Sequence, residues 1–446
     1  MANIRPFQAI RFNKEKIGRM ENVVSPPYDV IDEKDMKDMI KKSPYNIVQL
    51  DLTKHMGEES PEERYGRSRK FFQQWQKEGV LIQDEKPGIY LYYTHYNLPS
   101  GRRLTRKGMM VEVRLAEFSE GVIKRHEKTF SNAVDDRLDL LDTCRSQFSP
   151  IFSLFSDQDN SIINTLEQYR SAAPLYSVKD HDGCTHYIWP ITDTEAITRV
   201  QEMLIDKCLY IADGHHRYTT ALQFRELMKK RLGEIKPDSP YNHTMMYICP
   251  MEEEGLSVLP THRLLDYPGI LTAEGLVELM RPYFEVEEIK GGGREILTTE
   301  ALSRMETNRG RKTMFGMYEP DSDRCFLLTL KRGVMAEVIG DHLPKALQEL
   351  DVVVLSKLII EHILGLNQEQ CDREGFITYR SDSEDALDDA IKKSSVSIGT
   401  TPVLFLMNST PVPQLKKISD EDLTMPQKST YFYPKILTGL LVRKVD

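Results

Sequence analysis

The apolar and polar positions of the chain change period repeatedly, which predicts short strands mixed with helices. Alternating and aromatic-rich stretches such as GIYLYYTHYNL and RKGMMVEVRLAEF predict a hairpin joined at PSGRR, and KTMFGMYEPDSDRCFLLTLKR predicts another around EPDSDR. Apolar residues at helical spacing in SPEERYGRSRKFFQQWQKEGVL predict a helix that begins near Ser60. Because strands and helices do not alternate regularly, the pattern predicts an α+β fold rather than a series of βαβ units.

One segment, YIADGHHRYTTAL, contains an acid, two histidines and an arginine within five positions. The apolar run CLYIA predicts a strand ending at Ala212, Asp213 and Gly214 predict a turn, and a helix is expected from His215 or His216. The first turn of a helix has unpaired N–H groups and a partial positive charge, so it attracts anions. Imidazoles and the guanidinium of Arg217 would add donors suited to phosphate or carboxylate.

Two other interpretations of this segment stay open at this point. Asp213 could simply cap the helix, with the polar residues on a solvated face. A metal site could use Asp213, His215 and His216, with His126 as a further ligand. Adjacent histidines on a helix diverge by about 100°, however, and HEKTF lacks the second histidine of the HExxH zinc motif.

Further polar clusters occur elsewhere in the chain. In RHEKTFSNAVDDR a carboxylate beside a histidine is typical of a general base or a Mg²⁺ ligand. Such a run is also typical of a solvated loop, and the spacing of the residues does not distinguish these interpretations. SPPYDV predicts a rigid turn, and Lys428, Ser429 and Thr430 in QKSTYFYPK resemble phosphate contacts. The motifs GxxxxGK[ST], GxSxG and GxGxxG do not occur in the sequence.

Composition narrows the class of protein. With 446 residues, two or three structural units are expected. A formal charge of −9 argues against nonspecific binding to nucleic acid, and six scattered cysteines show no zinc-finger spacing. The sequence begins without a signal-peptide pattern and has no run of 18 apolar residues, so a cytoplasmic protein with no membrane partner is expected.

Taken together, several stretches resemble the bacterial and archaeal family called domain of unknown function 1015. They are RPFQAIRFN, SPPYDVI, SPYNIVQLDL, RHEKT, DDRLDLL, YIADGHHRYTTAL, LPTHRLL and QKSTYFYPK, and the resemblance extends from residue 4 to about 440. The HE and DGHHR motifs are also similar to the core of free-serine kinases with a ParB/sulfiredoxin-like fold. That similarity implies such a core with large insertions, residues 140–200 among them, and a C-terminal α/β extension.

The resemblance to the kinases implies an activity and a role for each matching residue. The reaction would transfer a phosphoryl group from ATP, ADP or pyrophosphate to the hydroxyl of free L-serine, giving O-phosphoserine. Glu127 would be the base, and Asp213 and His216 would be catalytic. Gly214, His215, His216 and Arg217 would lie around the phosphates. As a mechanistic hypothesis beyond the resemblance, Asp213 or Asp136 would help to bind Mg²⁺, and Arg137 and Lys428 are further candidates for contacting a carboxylate or phosphate.

The same resemblance predicts how the chain is divided. Residues 1–265 would form the N-terminal and catalytic core and residues 266–446 a C-terminal α+β region, from which the 427–435 loop could return to the site. The alternative function is a non-catalytic nucleotide-binding or regulatory protein of the same fold. A DNA-binding relative is a third alternative, against which the acidic charge counts.

Overall fold

The chain forms two compact units, and each unit is assembled from segments that are separate in the sequence. The computed structural model describes residues 1–52, 59–98, 101–129 and 131–445, except for the side chains of residues 368, 369 and 372. Unit 1 comprises Met1–Arg125, Thr129–Leu256 and Pro434–Asp446, and unit 2 comprises His126–Lys128 and Ser257–Tyr433. The predicted boundary at 265/266 lies inside unit 2, within the strand His262–Tyr267.

Unit 1 is built from short strands and helices, several of which the local sequence explains. Ser60 accepts the Glu63 N–H and the Glu63 carboxylate accepts the Ser60 N–H, so a capping box starts the predicted helix at Pro61. The predicted turn at 99–103 lies partly outside the described residues. The strands are β1 (Ile4–Arg5), β2 (Ile10–Phe12), β3 (Leu81–Gln83), β4 (Ile89–Asn97), β5 (Arg103–Arg114), β6 (Ile123–Lys124), β7 (Ser146–Gln147), β8 (Ile151–Phe155), β9 (Tyr176–Lys179), β10 (Thr185–Ile191), β11 (Leu209–Asp213) and β12 (His243–Pro250). The helices are α1 (Lys14–Ile17), α2 (Glu33–Lys42), α3 (Val48–Asp51), α4 (Pro61–Lys77), α5 (Ser131–Cys144), α6 (Ser161–Glu167), α7 (Thr194–Leu204) and α8 (His215–Leu232), with 3₁₀ turns at Met20–Asn22, Tyr28–Val30, Phe118–Glu120 and Pro240–Asn242.

A nine-stranded mixed sheet organises unit 1. Its order is β6-β11-β8-β12-β5-β4-β10-β9, with β1 paired to β5. The pairs β6–β11 and β8–β12 are parallel, and the other pairs are antiparallel. Tyr218, Ala221 and Leu222 of α8 pack in the same core as Ile151 and Ile211 of the sheet. This packing holds α8 against the sheet directly after β11, where the β11–β8 register shifts between Ile211 and Asp213 and Asp213 lies opposite Phe152.

Unit 2 is a second α+β layer structure. Its strands are β13 (Ser257–Leu259), β14 (His262–Tyr267), β15 (Phe284–Ile289), β16 (Met314–Glu319), β17 (Arg324–Leu330), β18 (Ile377–Arg380), β19 (Thr401–Leu406) and β20 (Tyr431–Tyr433). Its helices are α9 (Ala273–Met280), α10 (Arg294–Asn308), α11 (Val334–Val338), α12 (Lys345–Gln348), α13 (Asp351–Val353), α14 (Gln368–Glu374), α15 (Ser383–Val396) and α16 (Val412–Asp420), with a 3₁₀ turn at Gly340–His342 and a π-helix at Val354–Ile363. After β20 the chain returns to unit 1, where β21 (Arg443–Lys444) pairs with β7.

The six-stranded sheet of unit 2 is covered on both faces, which explains its continuous apolar runs. Its order is β15-β17-β16-β19-β14-β18, and every pair is antiparallel. Along β19, Val403 and Phe405 belong to one core, whereas Leu404 and Leu406 belong to the core on the opposite face. The hairpin predicted around EPDSDR is confirmed as β16 and β17.

The predicted α+β class is confirmed by this mixture of helices and mainly antiparallel sheets. Within the described part of the chain, no helix combines the length and the apolar character needed to cross a membrane.

Candidate functional site

The predicted strand–turn–helix at Asp213 is confirmed, and a glycine makes it possible. β11 ends at Asp213, Gly214 adopts a left-handed conformation with φ +93°, and α8 begins at His215. A Cβ at Gly214 would lie 2.9 Å from Nε of Arg217, so neither the backbone angle nor the space suits another residue. Gly214, the N-cap residue, makes no side-chain cap on α8. The partial positive charge at this helix N-terminus suits an anion.

Asp213 is the centre of a largely buried ion cluster within unit 1. Its Oδ1 lies 2.7 Å from Nζ of Lys435, and its Oδ2 accepts a hydrogen bond from Nη2 of Arg217. Burial alone would raise the pKa of Asp213, but the charges of Lys435 and Arg217 hold it well below its usual range. The carboxylate is therefore ionised throughout the physiological pH range. It fixes two cations beside the start of α8.

Arg217 connects this cluster to a small cavity. Its Nη1 donates to the Pro150 carbonyl and its Nη2 to Asp213, whereas its Nε is buried without a partner among the described residues. The buried Oγ of Ser146, which also lines the cavity, is likewise without a partner in the described part of the chain. Burying a polar group without a hydrogen bond costs free energy of folding, so we expect a water molecule or a ligand to bond to both atoms.

The cavity brings together residues from distant parts of unit 1. Its volume is about 50 Å³, which accommodates a few water molecules or one small polar group. Tyr28 from the SPPYDV turn, Asp51 from the end of α3 and Arg137 from α5 line it together with Arg217 and Ser149. Four of the stretches on which the family resemblance depends, SPPYDVI, SPYNIVQLDL, DDRLDLL and YIADGHHRYTTAL, therefore converge on one cavity.

Arg137 and Asp136 belong to a polar network that already satisfies most of their groups. Arg137 Nη1 donates to the Asp51 carbonyl and lies 3.1 Å from Asp51 Oδ1, and its Nη2 lies 2.8 Å from Asp136 Oδ2. The Arg137 guanidinium also stacks on the ring of Tyr28 at 4.4 Å. Asp136 Oδ1 accepts a hydrogen bond from the Tyr65 hydroxyl. In this arrangement Arg137 orders the wall of the cavity.

Glu127 and Lys428 lie in unit 2. Glu127 forms an isolated bridge with Met425, and the Met425 N–H donates to the His126 carbonyl. His126 is completely buried, with Nε2 3.1 Å from the Thr430 hydroxyl. Lys428 is exposed in a left-handed conformation with φ +55°. The roles of Glu127 as base and of Lys428 as phosphate contact therefore stay predictions.

The two carboxylates predicted to bind Mg²⁺ do not fit the ion as they stand. Asp213 contacts Lys435 and Arg217, and Asp136 contacts Arg137 and Tyr65. Mg²⁺ needs carboxylate oxygens that are free to enter an octahedral shell. In the described part of the chain, no group of three or more His, Cys, Asp or Glu residues could hold a metal.

The two histidines of DGHHR differ in exposure. His215 is buried, with 4% of its surface exposed, and its charge contributes to the low pKa of Asp213. His216 is half-buried at the second position of α8. The more accessible His216 is therefore the better placed of the two for a ligand above the helix end.

Sequence reasoning missed Lys435, Asp51 and Tyr28. Lys435 ends the QKSTYFYPK stretch, in which the predicted phosphate contact is Lys428, and the proline before Lys435 is a signal for an ordered turn. Asp51 and Tyr28 lie in stretches that carried the family resemblance without an assigned role. Their position became clear only when the fold placed Arg137 and Arg217 beside them.

The comparisons place this chain in a family without an assigned activity. The chain matches the family described as "Protein of unknown function (DUF1015)" over residues 4–353, and it belongs to that family. It is similar to a tRNA dimethylallyltransferase from Psychrobacter arcticus, with 26% identity over 34% of this chain and 41% of that protein. The chain thus spans less than half the length of this curated relative.

Two solved structures give weak overall matches. A conserved hypothetical protein from Pyrococcus furiosus aligns with a TM-score of 0.35 at 14% identity, over 75% of this chain and 95% of the other. A free serine kinase in complex with AMP aligns with the same TM-score and identity, over 75% of this chain and 92% of the kinase.

Proposed function

We propose that this protein is a small-molecule kinase that transfers a phosphoryl group from ATP, ADP or pyrophosphate to the hydroxyl of free L-serine. The observation that carries the proposal is the ion cluster of Asp213, Lys435 and Arg217 at the start of α8. These two cations and the partial positive charge at the N-terminus of α8 suit the phosphates of a donor. The proposed core has the ParB/sulfiredoxin-like fold, on the resemblance of the HE and DGHHR motifs.

The small cavity beside Arg217 supports an acceptor of limited size. Its unpartnered donors, Nε of Arg217 and Oγ of Ser146, match the oxygen atoms of a carboxylate or a transferred phosphoryl group. At about 50 Å³ it would exclude a large substrate and suits one end of a small amino acid. Serine is the acceptor that the motif resemblance favours.

Phosphoryl transfer requires mainly positioning and charge stabilisation from the protein. The serine hydroxyl oxygen forms a bond to the terminal phosphorus of the donor, and the bond from that phosphorus to the bridging oxygen of the donor breaks. The leaving group is AMP from ADP, ADP from ATP, or phosphate from pyrophosphate. The hydroxyl proton passes to Glu127, the proposed base, while Arg217 and His216 stabilise charge on the transferred group.

Mg²⁺ is proposed to arrive with the donor rather than to occupy a resident protein site. Asp213 and Asp136 are engaged by cations, so the oxygens of the donor's phosphates would supply its ligands together with water. The ion would neutralise phosphate charge when bound.

Phosphorus NMR of the full chain tests the proposal directly. The protein is incubated with Mg²⁺, L-serine and, in turn, ATP, ADP or pyrophosphate, and O-phosphoserine is the expected product. Glu127→Gln should lower turnover about 10²–10⁴-fold, the scale for loss of a general base. Glu337→Gln, at an exposed position on α11 of unit 2, is the control and should leave turnover unchanged.

The outcomes separate the proposed kinase from its alternatives. Donor binding without any phosphorylated product, across serine and a panel of other amino acids and polyols, would favour a non-catalytic nucleotide-binding protein. Product formed at the full rate by Glu127→Gln would remove that residue from the mechanism.

A further inference from the structure

Unit 2 contains a cavity that is separate from the residues of the proposed kinase site. Its volume is about 290 Å³, near the lower end of the ~300–1,000 Å³ typical of small-molecule sites. One wall is the turn after α10, and the opposite wall is the segment that links β19 to α16. All of its lining residues lie between positions 309 and 414.

The turn after α10 directs three cationic side chains to this cavity. Gly310 adopts φ +74°, and the Asn308 carbonyl accepts the N–H groups of both Arg311 and Lys312, so the chain reverses tightly. Arg309 donates from Nη1 to the Ser409 hydroxyl at 2.8 Å. Within the described residues neither Arg311 nor Lys312 forms an ion pair. Arg309 also pairs with Glu306, so the charge that the described residues leave without an ion pair is that of Arg311 and Lys312.

The opposite wall is polar and buried, which is unusual directly after a fully buried strand. Asn408, Ser409 and Thr410 are each less than 10% exposed. Asp351, at the first position of α13, lies between the two walls and accepts hydrogen bonds from the side chains of Thr313 and Asn408. Burial raises the pKa of Asp351 to about 6, and these two hydrogen bonds oppose that rise. The cavity thus combines a cationic rim with two carboxyl groups, Asp351 and Glu349, of which Glu349 pairs with Lys417.

We infer that this cavity binds a small phosphorylated metabolite that also carries an ammonium or hydroxyl group. The phosphate would contact Arg309, Arg311 and Lys312, and the ammonium or hydroxyl group would donate to Asp351. Cationic donors form strong charge-assisted hydrogen bonds with phosphate oxygens. A ligand with phosphate alone would lack the group that donates to Asp351. This inference does not depend on the kinase activity proposed for unit 1.

Calorimetric titration of the full chain with phosphoethanolamine, ethyl phosphate and inorganic phosphate tests the inference. Phosphoethanolamine carries both recognised groups and should bind about tenfold more tightly than ethyl phosphate, which lacks the ammonium group. The variant Asp351→Asn should abolish that preference. Equal binding of the two compounds by the unaltered protein would overturn the Asp351 contact.

Substitution of one arginine and one lysine tests the cationic rim. The double variant Arg309→Gln/Lys312→Gln should weaken phosphoethanolamine binding at least tenfold. Arg281→Gln is a matched control, because Arg281 also follows the end of a helix and pairs with a glutamate three residues earlier, as Arg309 does. It should change the affinity less than twofold. Equal losses in the double variant and the control would overturn the assignment to this cavity.

Hydrogen exchange then separates this site from the proposed donor site. Phosphoethanolamine should protect amides in residues 407–418, and this protection should disappear in Arg309→Gln/Lys312→Gln. Protection confined to residues 213–218 would place the anion at α8 and overturn the inference. The exchange pattern without ligand shows whether the variant is folded.

Discussion

Removing the Lys435 ammonium group should destabilise unit 1 by about 2 kcal/mol. The Lys435 and Asp213 side chains are each only 15% exposed, and their atoms lie 2.7 Å apart. Loss of one partner from a buried ion pair costs about 3–5 kcal/mol, because the other charge stays buried without its partner. Arg217 remains on the second oxygen of Asp213, so we expect Lys435→Met to cost less than that range.

Tryptophan fluorescence during urea unfolding measures this effect in the appropriate unit. Both tryptophans of the chain, Trp75 and Trp189, lie in unit 1, so the signal reports on that unit alone. Lys229→Met is the control, since Lys229 pairs with Glu226 where both side chains are 44–50% exposed. Exposed pairs contribute only about 0.2–1 kcal/mol. A loss for Lys435→Met no larger than the control's would refute the reasoning.

The acid limb of the stability curve gives an independent measurement of the same ion cluster. Because the pKa of folded Asp213 lies below its ordinary value of 3.8, folding stability gains a contribution that is complete above about pH 4. The contribution is lost as the pH falls through the folded pKa. Lys435→Met should therefore flatten the loss of stability between about pH 4 and pH 2. An unchanged acid limb would contradict the assignment.

Three further predictions concern the start of α8. Gly214→Ala should destabilise unit 1 by about 1–2 kcal/mol more than Gly79→Ala in urea unfolding, because both glycines have positive φ but only Gly214 is crowded by Arg217; equal losses would contradict this. His216→Ala should weaken donor binding about tenfold in calorimetry without lowering stability, and unchanged affinity would exclude the proposed phosphate contact. Titration with MgCl₂ alone should show no binding at micromolar concentrations, because the predicted carboxylate ligands are paired; tight binding without donor would contradict that.

Local sequence predicted those parts of the molecule that depend on neighbouring residues. The capping box of Ser60 and Glu63 started α4 where expected, and Asp213–Gly214 formed the turn before α8. Both features involve residues within four positions of each other, and backbone preference decides them. The alternating apolar pattern likewise indicated the β16–β17 hairpin.

The partners within the candidate site could not be predicted in the same way. Lys435 reaches Asp213 from 222 positions away, and Asp51 meets Arg137 from 86 positions away. Periodicity contains no information about which distant charges pair, and it does not distinguish the two lysines of QKSTYFYPK. The division into units could not be predicted from local sequence either. Residues 126–128 belong to unit 2, where Glu127 forms a bridge with Met425, almost 300 positions further along the chain.

The return of residues 434–446 to unit 1 determines when the ion cluster can form during synthesis. A ribosome makes Asp213 and Arg217 long before Lys435, and all of residues 257–433 must emerge in between. Closing so long a loop is slow compared with forming local helices. A nascent chain would thus hold the aspartate with only one of its two cations until Lys435 has emerged from the ribosome. Chaperones and proteases would encounter unit 1 without this ion pair until then.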